Sequence, residues 1–219
     1  MSALLCALLA FHLQAPLDEG TLVVREDTAE IAREAFRLTP ARAGGWTLAS
    51  TVRYDRTRPV VVLDPILEIG PDSAPASLQY TVADPREPLR ILGQQTRGRF
   101  TVRLLGRRTE RAREFPAPPP AAILDDSVFA LYLPAAWRAR PEPVALTGIF
   151  PRAGRREVLA VQDLGVEATA LGRDQASLRH ITVTGGASRL VHLWLSANGR
   201  LLKIAIPSRH VMAERAPGP

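Results

Sequence analysis

Residues 189–207 read RLVHLWLSANGRLLKIAIP, and the pattern predicts a β-hairpin. Asn198-Gly199 suits a two-residue type I′ turn, in which both central residues take positive φ, so Ala197 is expected opposite Arg200. The register then follows by counting. Leu195 faces Leu202, Leu193 faces Ile204 and Val191 faces Ile206, which makes one face wholly aliphatic. The other face sets Trp194 against Lys203 and His192 against Ala205, with the indole and the ammonium within reach of a cation–π contact. One side therefore reads as core and the other as surface or lining.

The same alternation recurs upstream. Trp46, Leu48, Val52 and Tyr54 share one parity while Thr47, Ala49, Thr51 and Arg53 take the other, as in a half-buried antiparallel strand. Residues 21–26 and 30–38 read as strands around Asp27-Thr28, with Arg25 opposite Glu30 and Val24 opposite Ile31. Pro65 predicts a bulge or an edge position in the run after Pro59. Seven arginines fall between Arg97 and Arg113, and with Glu110 and Glu114 as partners they read as the wetted outer face of an antiparallel pair. PAPPPAA, residues 116–122, is expected to be an extended connector. It leads to one helix, near 126–137, capped by Asp125 or Asp126, with Val128, Leu131 and Tyr132 at helical spacing. Strands at eight- to twelve-residue intervals fill the rest.

These elements predict a mainly β fold, a curled antiparallel sheet forming an incomplete β-barrel, with one short helix packed on or in its concave face. At 219 residues and 46% hydrophobic content the chain is expected to form one domain over 16–219. Residues 1–15 hold an uncharged apolar run from Ala3 to Phe11, shorter than the ~20 residues a membrane span needs. The run reads as a signal peptide, so a periplasmic or secreted location is expected. The single cysteine, Cys6, lies inside it. Only 5% of the residues are aromatic, so the interior is aliphatic and suits acyl chains better than nucleobases. No nucleic-acid partner is expected. The formal charge of +6 rests on arginine, with Lys203 a rare lysine.

Chemical motifs are absent from the sequence. The four histidines form no HxH, HxxxH or HExxH pair, and there is no GxSxG, Walker or GxGxxG loop, so no metal, cofactor or catalytic residue is expected. Ser127, Asp126 and His192 could be written as a triad, and Asp64, Glu68, Asp125 and Asp126 as carboxylate pairs, but their spacing selects none of them.

Residues 193–215, LWLSANGRLLKIAIPSRHVMAER, together with the row of antiparallel strands and one apolar helix after a proline-rich crossing, resemble the LolA-like superfamily of periplasmic carriers and their exported relatives. The resemblance implies an incomplete barrel whose mouth is covered by helix, acyl chains held in the hollow, and no catalytic residues. The expected function is an exported, non-enzymatic carrier or binding protein for a lipid or other apolar small molecule, with Trp46, Tyr54, Phe129, Tyr132 and Trp194 near the hollow. A membrane surface or an envelope protein is a further expected partner. The alternative is an envelope assembly module with a filled core that binds a protein through a sheet edge. A hydrolase whose residues meet only in three dimensions is a third.

Overall fold

The computed structural model describes residues 17–42, 44–186 and 189–217. The leader expected at 1–15, with Cys6, lies outside them. The described residues form a single fifteen-stranded sheet. The first eight strands are β1 (Asp18–Glu26), β2 (Ala29–Pro40), β3 (Trp46–Tyr54), β4 (Val61–Ile69), β5 (Pro75–Ala83), β6 (Leu89–Thr96), β7 (Arg99–Gly106) and β8 (Glu110–Pro116). The other seven are β9 (Ala121–Ile123), β10 (Val144–Phe150), β11 (Arg155–Leu171), β12 (Asp174–Gly185), β13 (Arg189–Leu195), β14 (Leu201–Ile206) and β15 (Val211–Arg215). They lie side by side in the order 8-7-6-5-4-3-2-1-15-14-13-12-11-10-9. Two meanders are thus joined along β1 and β15, and all pairs are antiparallel except β9 with β10.

Chain connectivity makes this sheet curl. Its two edge strands, β8 and β9, are linked by residues 117–120 alone, a connector that spans less than about 20 Å. Fifteen strands laid flat would be about 65 Å across. The sheet must therefore bend until its edges approach, and Arg113 of β8 donates to the Gly154 carbonyl beyond β10 at 2.8 Å. No ladder joins β8 to β9, so the barrel remains unclosed.

The inward side chains of both meanders form one core, from Leu22, Phe36, Leu48, Tyr80 and Phe100 round to Ile181, Leu193 and Ile204. Residues 124–139 run through this core. A 3-10 turn, Ala130–Tyr132, leads into the four-residue helix α1 (Leu133–Ala136). Val128, Phe129, Leu131, Tyr132 and Leu133 are all 1% exposed or less. The concave face expected to be a hollow is occupied by the chain itself.

Several local expectations are corrected. The hairpin keeps Leu193 opposite Ile204 and Trp194 opposite Lys203, but Leu195 pairs with Leu201 across a bulge. Ser196 N–H bonds to the Arg200 carbonyl, and among the turn residues only Gly199 takes positive φ, so the loop is three residues with a glycine bulge and not a type I′ turn. Between β1 and β2, Arg25 faces Glu30 as expected, but a bulge sets Val24 opposite Ala32. Pro65 is buried within the interior strand β4, where the β3 pairing skips from Ala49↔Ile66 to Val52↔Leu63. The missing N–H falls in that gap, so no edge or bulge is needed. The helix near 126–137 shrinks to two short turns, and neither Asp125 nor Asp126 caps it. Ala121 and Ala122 are strand, not connector.

Candidate ligand-binding site

Residues 124–139 enter the barrel at one end, the mouth, and leave at the other, the base. Glu34 holds them midway. It shares its inward parity on β2 with Ala32, Phe36 and Leu38, and it is completely buried. Its carboxylate accepts from Ser50 Oγ at 2.7 Å, Phe129 N–H at 2.7 Å and Ala130 N–H at 3.0 Å. Those two amides open the 3-10 turn and would otherwise be orphaned, so the cap comes from across the barrel. Burial pushes the Glu34 carboxyl up to about 7 against the pull of these donors.

At the mouth the two aspartates at the head of the segment meet arginines. Asp125, 4% exposed, accepts a two-pronged contact from Arg152 at 2.7 and 2.8 Å and the Tyr80 hydroxyl at 3.1 Å. Asp126 accepts from Arg155 and Arg189, both at 2.6 Å. Glu157 takes Arg189 Nε at 2.8 Å and also contacts Arg155. Burial raises the Asp126 carboxyl, but Arg189, Arg155 and Arg209 outweigh it and hold the group below the ordinary carboxylate range. The Phe150 ring lies 4.2 Å from the Arg155 guanidinium and 4.5 Å from that of Arg189. A cavity of about 260 Å³ opens here, lined by Asp126, Arg155, Glu157, Arg189, Ser208 and Arg209 among others.

Four of the five aromatic residues singled out in the sequence converge on the segment. Tyr54 donates to the Ser127 carbonyl at 3.0 Å near the mouth. Phe129 and Tyr132 belong to the segment, the latter donating toward Asp126. Trp46 meets Trp137 at the base, ring centroids 5.2 Å apart. They pack on the protein's own chain in the place where a ligand was expected.

Trp194 is not with them. It lies on the outer face, stacked with His180 at 4.8 Å and His192 at 5.6 Å. Beyond a bulge at Gly165, where φ is +88°, the β11–β12 hairpin curls back over this face, and Ala170 accepts from Lys203 of β14 at 2.9 Å. Glu167 on that arm accepts the Trp194 indole N–H at 2.7 Å. The indole bond, ahead of nearby His180, holds the Glu167 carboxyl below its usual range. Lys203 sits 5.4 Å from the indole centroid, so the predicted cation–π contact is present.

The catalytic groupings do not assemble. His192 lies on the outer face while Ser127 and Asp126 lie at the mouth. Glu68 bonds to Ser77 on the outer side of β4, and Asp64 shares its parity, away from Asp125 and Asp126. Among the described residues no cluster of His, Cys, Asp and Glu could hold a metal ion, and no helix is long and apolar enough to cross a membrane. Sequence reading missed Glu34, Arg155 and Arg189. The available signal was Glu34 standing between Ala32, Phe36 and Leu38 on the inward parity of β2.

No protein-family model and no curated protein matches the chain. Among solved structures it is similar to the β-barrel-like protein of domain of unknown function DUF1849 from Brucella abortus. The two are 11% identical, the match covers 90% of this chain and 95% of that one, and the TM-score is 0.56. The likeness is one of fold.

Proposed function

We propose that this protein is an exported, non-enzymatic carrier or binding protein, LolA-like in plan, that shelters a lipid or another apolar ligand in the concave face of its curled sheet. The supporting observation is that the barrel interior is filled by a contiguous apolar segment, residues 128–137, that adds no strand to the sheet. A ligand chain can take its place without breaking a ladder between strands. The energies are of similar size. A ~16-carbon chain leaving water gains about 0.8 kcal/mol per methylene, near 13 kcal/mol in all. Val128, Phe129, Leu131 and Leu133 contribute about 1.5–3 kcal/mol each. The ion pairs of Asp125 and Asp126 at the mouth hold the end of the segment that must move.

Native mass spectrometry of gently purified protein tests the reading, with solvent extraction and titration with a fluorescent fatty acid. A co-purified lipid or saturable uptake is expected. A ligand-free spectrum together with no uptake overturns it.

A second reading, an envelope module that binds a protein partner, is favoured by the occupied interior and by Leu164 and Val166 on the curled arm, 52% and 73% exposed. Pull-down of a partner that is lost on Val166→Asp would favour this reading over the carrier.

A further inference from the structure

We propose that the mouth cavity is a binding site for an oxyanion with one net negative charge, a phosphate monoanion or phosphodiester. Its lining holds three guanidinium groups, Arg155, Arg189 and Arg209, against two carboxylates, Asp126 and Glu157. Arginine stays protonated throughout the ordinary pH range and Asp126 is held ionised, so one positive charge is left over.

The surplus sits on groups with donors to spare. Arg209 gives one nitrogen to the Asp126 backbone carbonyl, and its Nε and Nη2 have no partner among the described residues. Arg155 uses its two terminal nitrogens on Asp126 and Glu157, while its Nε has no such partner. Ser208 Oγ, also in the wall, is without a partner among the described residues. Two of the three guanidinium groups, Arg155 and Arg189, are already positioned. Phe150 lies against both, and Arg189 is fixed by Asp126, Glu157 and the Tyr132 hydroxyl at 3.0 Å. An entering anion meets a formed set of donors, which lowers the ordering cost of binding.

Size sets the class of ligand. At about 260 Å³ the cavity falls below the ~300 Å³ at which pockets for whole drug-sized molecules begin. It accommodates a headgroup or a free ion, with Ile206 as its apolar wall.

The site does not depend on displacement of the interior segment, and short-chain probes test it alone. Isothermal titration at low salt would use inorganic phosphate, dihexanoyl phosphatidylglycerol and zwitterionic dihexanoyl phosphatidylcholine. Binding of phosphatidylglycerol over phosphatidylcholine is expected and identifies a lipid headgroup, whereas binding of inorganic phosphate alone identifies a free ion. Arg209→Gln, at an exposed residue with a single backbone contact, is expected to weaken the anion by about tenfold and to leave the thermal midpoint unchanged. Arg155→Gln weakens it likewise, whereas Arg103→Gln, far from the mouth and paired with Glu110, has no effect. Rising salt weakens binding in the wild type. No binding of either anion, equal binding of phosphatidylcholine, or unchanged affinity in both Arg209→Gln and Arg155→Gln overturns the inference.

Discussion

The interior segment and the outer-face stack each gather aromatic residues around one carboxylate, but their titratable groups are shifted in opposite ways. Glu34 is sealed inside, and burial raises it from 4.5 to about 7. On the outer face His192 is pushed below its ordinary value of 6.5, first by burial and then by the charge of His180, whose Nε2 lies 2.8 Å from His192 Nδ1. Each shift disfavours charge, yet one group is an acid and the other a base, so the pH dependences run in contrary senses. The Glu34 contribution is fully present below pH 4.5, where folded and unfolded chains both hold the proton. It is lost as pH rises to about 7, because the unfolded chain releases that proton first. The His192 contribution is present above 6.5 and lost as pH falls below it, because the unfolded chain then binds a proton that the folded chain resists. The comparison teaches that a carboxylate can be placed in an apolar interior if backbone amides of an irregular segment need it. On the strand face, by contrast, the rings of His180, His192 and Trp194 stack on one another, and the curled arm covers them through Glu167.

Removing Glu34 should separate the two regions most sharply. Glu34→Ala leaves two buried amides and Ser50 without their acceptor and is expected to cost roughly 4 kcal/mol, read as a shift in urea midpoint. Next in size is the pH effect. Stability of the wild type should decline by about 3 kcal/mol between pH 4.5 and 7 through this group. Glu34→Gln should abolish that slope while losing about 1–3 kcal/mol for the amide left facing an N–H. A slope that survives the substitution would assign it elsewhere.

On the outer face, Glu167→Gln is expected to cost about 1 kcal/mol and to speed hydrogen exchange in the arm of residues 164–178 more than in the core strands. Titration of His192 by NMR should give a midpoint below 6.5 that moves upward in His180→Phe, since one of its two depressing influences is gone. Smallest of all is Arg103→Gln, an exposed ion pair, expected within about 0.5 kcal/mol of the wild type.

Much of the sheet was legible because strand parity is local. Trp194 and Lys203 could be placed opposite each other by counting from Asn198-Gly199, and their contact is present. The errors lie where one residue slips, as at Leu195 opposite Leu201 and Val24 opposite Ala32, because a bulge leaves no mark in an alternating pattern. The helix was overestimated because Val128, Leu131 and Tyr132 keep helical spacing even in a segment shaped by its surroundings. The arginines between 97 and 113 divide between the two faces, which charge patterning alone does not separate. Arg99 and Arg103 do face outward onto Glu114 and Glu110, but Arg111 and Arg113 pair with Leu104 and Val102 on the inward side.

Local pattern carried most of the strands and the hairpins at 18–40 and 189–206, since turns and alternation act over a few residues, whereas the helix it suggests near 126–137 is a 3-10 turn followed by one helical turn. What fills the barrel was set by contacts between residues far apart in the chain. Glu34 meets Phe129 across 95 positions of chain, and Arg189 meets Asp126 across 63. Such pairs exist because four residues tie the two edges of a fifteen-stranded sheet together and force it to curl, a closure that no local pattern encodes.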